Sequence, residues 1–222
     1  MNCCPPCATE STRCWPAEPQ QAAGADATAP GPPLPVIFTI GHSTRPLADV
    51  VALLQAHRVT LLVDVRSVPR SRHNPQFNAD SLSQAIESLG LQYVHAAGLG
   101  GFRPTGPGSV NGGWRNASFR GYADYMQTPD FAENLFWLMR LGEAQAVAVM
   151  CAEAVPWRCH RSLIADALSV QGWVVNEIVS PTRVQPHKLT PFAQVVGNRI
   201  TYPPPTPPSS DGGLAGPLDA AG

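Results

Sequence analysis

The chain reads as an α/β protein: a single open, mainly parallel sheet of about five strands, with helices on both faces and disordered tails. Three observations predict this. Apolar runs of strand length carry Val, Ile and Leu at consecutive positions, as strands covered on both faces do. Segments with helical spacing fall between them, and such alternation favours parallel strands joined by right-handed crossovers. Of the 24 prolines, eight lie in residues 1–35 and six in residues 203–217. Ends of that composition bury too little apolar surface to offset their ordering entropy. The expected organisation is a Cys/Pro-rich tail over 1–34, an α/β domain over 35–202 and a Pro/Gly-rich tail over 203–222.

The elements follow in order. PVIFTI (35–40), VTLLVDV (59–65), LQYVH (91–95), AVAVMC (146–151) and WVVNEIV (173–179) are the strand candidates. Leu47, Val50, Val51 and Leu54 keep the i, i+3, i+4, i+7 spacing of a helix face, as do Leu82, Ala85, Ile86 and Leu89. A third helix opens at Thr128-Pro129-Asp130, where threonine caps, proline fits the first turn and aspartate complements the dipole. A fourth runs from about Arg161 to Gln171 and stops at Gly172. Residues 98–126, rich in glycine, read as a long loop.

Charge and cysteine usage narrow the function classes. The net charge of −1 gives no general case for a nucleic-acid or membrane partner. No apolar run is long enough to span a membrane, and the first residues do not read as a signal peptide. A cytoplasmic protein with reduced thiols is expected. Lys188 is the only lysine among 15 basic residues, a bias that matches the abundance of Ala, Pro and Gly and assigns no role by itself. Cys3, Cys4, Cys7 and Cys14 lack the paired spacers of a structural zinc site.

In open α/β sheets, ligands bind outside the carboxyl ends of the strands. That rule gathers scattered residues into one candidate site. The first strand ends in Gly41-His42-Ser43-Thr44, and the second carries Asp64 and Arg66. The third ends at His95, followed by Gly98, Gly100 and Gly101. The fourth ends in Cys151-Ala152-Glu153 and returns through Cys159-His160-Arg161 into a helix.

Each residue has a plain structural use beside the chemical one. Asp64 either pairs with Arg66 or acts as a base. Ser43 and Thr44 cap the helix beginning near Pro46, whose N-terminus is also an anion site. Cys151 is either an inert buried thiol or a nucleophile. Arg161 in a first helical turn opposes the dipole unless a bound anion or Glu153 compensates it. Arg115 and Arg120 lie in the 98–126 loop among Phe102, Trp114, Phe119 and Tyr122, a mixture that either stacks on a base and holds phosphate or pins the loop to the sheet. Phosphatase- or rhodanese-like thiol loops do not fit, because Arg158 stands one position too far from Cys151.

The motifs TIGHS, LVDVRSVPRS, YVHAAGLGG and MCAE…CHR, with the segment HKLTPFAQVVGNRITYP, resemble the domain of unknown function 488 family over about residues 36–203. WRNASFRGYADYM is similar to an insertion found in one branch of that family. The resemblance implies a compact α/β domain of a bacterial-type soluble protein. It carries over His42, Ser43, Asp64, Arg66, Cys151, Glu153, Cys159, His160 and Arg161 as motif positions, and it implies no reaction.

The leading expectation is a hydrolase or transferase acting on a phosphate-bearing or nucleotide-like substrate. Asp64 or Glu153 would be the general base and His42 or His160 the general acid, with Cys151 as a lesser nucleophile. Ser43, Arg66, Arg161, Cys159, His95, Gly100, Gly101, Arg115 and Arg120 would bind the anion. The alternatives are a non-catalytic nucleotide or nucleic-acid-binding sensor or adaptor and, third, a thiol redox protein using Cys151 and Cys159. No cofactor is expected. A divalent metal on Cys151, Cys159, His160 and His42 is a minor variant. The expected partner is a small phosphate or nucleotide ligand, with nucleic acid as the alternative and no membrane; the oligomeric state is left open.

Overall fold

The computed structural model describes residues 34–205. The tail assignments, and with them Cys3, Cys4, Cys7 and Cys14, lie outside the described residues apart from a few positions at each junction.

Five strands coincide with the five apolar runs: β1 (Val36–Gly41), β2 (Leu61–Asp64), β3 (Gln92–His95), β4 (Val147–Cys151) and β5 (Val174–Ser180). They form one sheet in the order β3-β2-β4-β1-β5, and all neighbouring pairs among them are parallel. A sixth strand, β6 (Arg183–Pro186), adds antiparallel to β5. It goes beyond the sequence reading because it is largely exposed and its one apolar side chain, Val184, leaves no run to detect. A separate hairpin of β7 (Gln194–Val196) and β8 (Arg199–Thr201) turns at Gly197, whose φ of 58° lies in the left-handed region.

The helices are α1 (Leu47–Ala56), α2 (Ala79–Ser88), α3 (Ala117–Tyr125), α4 (Pro129–Ala144) and α5 (Arg161–Val170). α3 corrects the expectation of an uninterrupted loop over 98–126. The Asn116 side chain caps it by accepting from the amides of Ser118 (2.8 Å) and Phe119 (3.4 Å). Thr128 caps α4 as expected, accepting from the Phe131 amide at 3.3 Å. Ser43 and Thr44 do not cap α1: Pro46 stands at that position and no side chain caps the helix.

Side chains alternate along β4, which gives each face its own core. Val147, Val149 and Cys151 join a cluster with α3, α4 and α5, while Ala148 and Met150 join another with α1 and α2. The path β1-β2-β3 therefore steps one way under one pair of helices, and β3-β4-β5 steps back under the other three. This reversal opens a crevice at the carboxyl end of β4, between the ends of β1 and β2. α5 sits beside it and is buried from Arg161 to Leu168, including two charged residues. One of these, Asp166, is a docking point for the C-terminal segment. It accepts from His187 Nε2 (2.7 Å), Thr190 Oγ1 (2.6 Å), the Thr190 amide (3.1 Å) and the Tyr202 hydroxyl (2.8 Å).

Candidate functional site

The crevice is built where backbone passes close to backbone. After β1, the amides of His42 and Ser43 donate to the carbonyls of Cys151 (3.0 Å) and Ala152 (2.9 Å), which extends β1–β4 pairing past the sheet edge. A side chain at Gly41 would collide with the Glu153 carbonyl, and one at Gly101 with the His160 ring. Both glycines therefore permit the walls to meet. Ser43 follows with φ of 50°, a left-handed conformation uncommon for a residue with a side chain.

Asp64 is fully buried at the end of β2 and is held by Arg66 through Nε–Oδ1 (2.8 Å) and Nη2–Oδ2 (2.5 Å), with Tyr93 donating its hydroxyl at 2.9 Å. Burial and this carboxylate push the Tyr93 hydroxyl well above its usual range. Arg66 Nη2 also donates to the Phe77 carbonyl (2.7 Å), and Nη1 lies 3.3 Å from His42 Nε2. His42 stacks on Phe77 with ring centroids 4.0 Å apart and lies 2.8 Å from the Ser43 carbonyl through Nδ1. Burial lowers its pKa to about 4. A neutral ring with Nδ1–H donating to Ser43 and Nε2 accepting from Arg66 satisfies every contact. Asp64, Arg66 and His42 thus form a closed set, and neither the base nor the acid role expected of Asp64 and His42 has a free atom behind it.

The second wall contains the thiols. Cys151 and Cys159 are free and buried, and both line a cavity of about 310 Å³ with Arg66, Ser67, Phe102 and Phe119. Arg161 is fully buried. Its Nη1 donates to Cys151 Sγ at 2.9 Å and to the Glu153 carbonyl at 2.7 Å, and Nη2 donates to the Ala154 carbonyl at 3.2 Å. The remaining donors form a two-pronged pair with Glu177 on β5, Nη2–Oε1 at 2.9 Å and Nε–Oε2 at 3.3 Å. Thr39 Oγ1 donates to the same carboxylate. The charge of Arg161 is therefore compensated by Glu177 and two carbonyls, and not by the Glu153 side chain offered as one alternative from sequence. Every N–H of the guanidinium is engaged within the protein, so Arg161 has no donor left for a ligand.

The thiols differ in ionisation. The neighbouring Cys159 thiol and the charge of Arg161 outweigh burial and lower the Cys151 pKa to about 7. The proximity of Cys151, together with burial, raises that of Cys159. The Arg161 amide adds a contact to Cys159 Sγ at 3.4 Å. His160 lies 3.0 Å from the Val65 carbonyl through Nε2, and its Nδ1 lies 3.6 Å from Cys159 Sγ. Burial lowers its pKa to about 4, so it too is neutral near pH 7.

The other expected residues divide by position. Glu153 is exposed on the cavity rim, with Oε1 accepting from the Val155 amide at 3.3 Å. Ser43 belongs to a neighbouring cavity with His42, Arg66 and Arg70. His95 is exposed and sits 2.7 Å from the Arg66 carbonyl, steadying the loop after β2. Gly100 packs on Ser67, whose hydroxyl accepts from the Phe102 amide at 3.0 Å. Arg115 and Arg120 do not line the cavity. Arg120 donates to the Trp114 carbonyl (3.1 Å), and Trp114 packs among Phe119, Phe192 and Tyr202, pinning the loop rather than presenting it. Ser67 on the cavity and Glu177 behind it were not singled out in the sequence, while Phe102 and Arg158, weighed there only as loop residues, also line the cavity. Glu177 had a signal, a lone acidic residue inside WVVNEIV.

Among the described residues, no three His, Cys, Asp or Glu side chains converge to hold a metal ion, and no helix is long and apolar enough to cross a membrane. The family described as "Domain of unknown function DUF488" matches residues 46–168. The chain belongs to the DUF488 family. The match takes in Asp64, Arg66 and the whole Cys151–Arg161 loop of this DUF488 protein, while His42, Ser43 and Glu177 lie outside it. No curated protein and no solved structure matches the chain.

Proposed function

We propose that this DUF488 protein is a thiol enzyme that reduces a small disulfide, with Cys151 as nucleophile and Cys159 as the resolving thiol. The carrying observation is the 2.9 Å contact between the Arg161 guanidinium and Cys151 Sγ beside an open cavity. Attack on a disulfide is fastest for a thiol whose pKa lies near ambient pH, because thiolate fraction and nucleophilicity pull in opposite directions. A value of about 7 meets that condition. The Cys151 thiolate attacks one substrate sulfur, the substrate S–S bond breaks and the other half leaves as a thiolate. Cys159 then loses its proton to solvent and attacks Cys151 Sγ, which closes the Cys151–Cys159 disulfide and releases the second substrate thiol. The substrate gains two electrons and the protein loses two; an external dithiol returns it to the start.

The test mixes reduced protein with hydroxyethyl disulfide. The expected products are a Cys151–Cys159 disulfide in the wild type and a stable adduct on Cys151 alone in Cys159→Ser. Unmodified Cys151 in both would overturn the proposal.

A second reading keeps acid/base chemistry on a phosphate-bearing ligand. It is favoured by the exposed Glu153 carboxylate and Arg158 guanidinium on the same cavity. It predicts binding of phosphate compounds that weakens in Arg158→Ala and hydrolysis or transfer that is lost in Glu153→Gln, both indifferent to Cys151→Ser.

A further inference from the structure

Behind the thiol stands a chain of contacts of which Cys151 and Arg161 lie inside the family match and Glu177 and Thr39 outside it. Cys151 ends β4, Arg161 opens α5, Glu177 projects from β5 and Thr39 from β1. β1 separates β4 from β5, so Glu177 and Cys151 belong to strands that do not pair. Arg161 bridges that gap, with its Nη1 on Cys151 Sγ and its Nη2 and Nε on the two Glu177 oxygens. A guanidinium is planar and rigid, so a two-pronged pair at one edge fixes where its remaining nitrogen points. Thr39 donates to the same carboxylate and limits its rotation.

We propose that Glu177 is a positioning residue for Cys151: its carboxylate grips one edge of the Arg161 guanidinium and so holds the opposite nitrogen against the sulfur. This rests on the thiol reading of the site. Position and charge act in opposite senses here. The grip keeps a cation beside the thiolate, whereas the negative charge of Glu177 itself disfavours the thiolate. Other groups facing Cys151 are Cys159 and His160 from the loop and α5 start, Glu153 and Arg158 on the rim, and Arg66 across the cavity. The Glu177 carboxylate is hydrogen-bonded to Arg161 and Thr39 and not to any of these groups.

Two conservative variants of the full chain separate the effects. Glu177→Asp keeps the charge and withdraws the carboxylate by one methylene. Glu177→Gln keeps the length and an acceptor oxygen and loses the charge. The readout is the pH midpoint of Cys151 alkylation by iodoacetamide. Trypsin cuts after Arg158 and leaves Cys151 and Cys159 on different peptides for mass spectrometry. The expected result is a raised midpoint in Glu177→Asp, slowing alkylation at pH 7 by roughly three- to tenfold, a full pH unit being tenfold. Glu177→Gln should sit at or below the wild type. An unchanged midpoint in Glu177→Asp, or an equal rise in both variants, overturns the positioning role. Should Glu177→Asp not fold, Glu177→Gln decides alone, and a raised midpoint there counts against the proposal. An ordinary thiol midpoint in the wild type would instead remove the underlying thiol reading.

Discussion

Two buried arginines stand at the carboxyl edge of one sheet, and they are used differently. Arg66 grips Asp64 two residues away, and its other contacts run to a carbonyl and a neutral histidine. Arg161 grips Glu177 on another strand, and its other contacts reach two carbonyls and a cysteine sulfur on a cavity. Both pairs satisfy the demand that buried charge be matched. Only the second places its positive charge against a group that ionises near neutral pH. What a buried guanidinium does is set by where its spare donors end, and not by the ion pair itself.

The largest expected effect breaks the first pair. Asp64→Ala leaves Arg66 buried without its carboxylate and should cost roughly 3–5 kcal/mol in denaturant unfolding. The Cys151 alkylation midpoint of the protein that remains folded should not move. Arg161→Met should cost a comparable amount by orphaning Glu177, yet also raise that midpoint. Equal midpoints in the two variants would erase the contrast.

Next in size is a pH effect shared by both walls. His42 and His160 have folded pKa values of about 4 against 6.5 for an ordinary histidine. The unfolded chain therefore takes up protons that the native state refuses. Stability from this source is complete above pH 6.5 and falls as the pH drops towards 4. Thermal midpoints measured from pH 7.5 to 4.5 should decline, and His42→Phe with His160→Gln should flatten the slope. A slope unchanged in the double variant would contradict the neutral assignment. The smallest effect is Tyr93→Phe, which removes one donor from Asp64 and should cost about 1 kcal/mol by denaturant unfolding, leaving Cys151 untouched.

The same contrast explains what the sequence made legible. Asp64 and Arg66 are neighbours on one strand, so their pairing could be weighed directly. The five apolar runs gave β1 to β5, and the strand-end rule collected Cys151, Cys159 and Arg161 at one edge. Glu177 was not legible as a partner, because its contact with Arg161 depends on β5 crossing to the far side of β1. α3 was hidden by the glycines of the 98–126 loop although Asn116 was available as its cap. β6 carries one apolar side chain and no periodicity. Local chemistry and short-range pattern were readable, whereas pairings set by strand order needed the fold.

The most direct measurement is the pH dependence of Cys151 alkylation by iodoacetamide in the reduced wild-type protein, resolved by peptide. The thiolate is the reactive form, so the rate should rise with pH and level off above its midpoint. The account predicts a midpoint near 7, well below the 9.0 of an unperturbed thiol. A midpoint at 9.0 or above would show that Arg161 serves packing alone and would contradict a thiol enzyme.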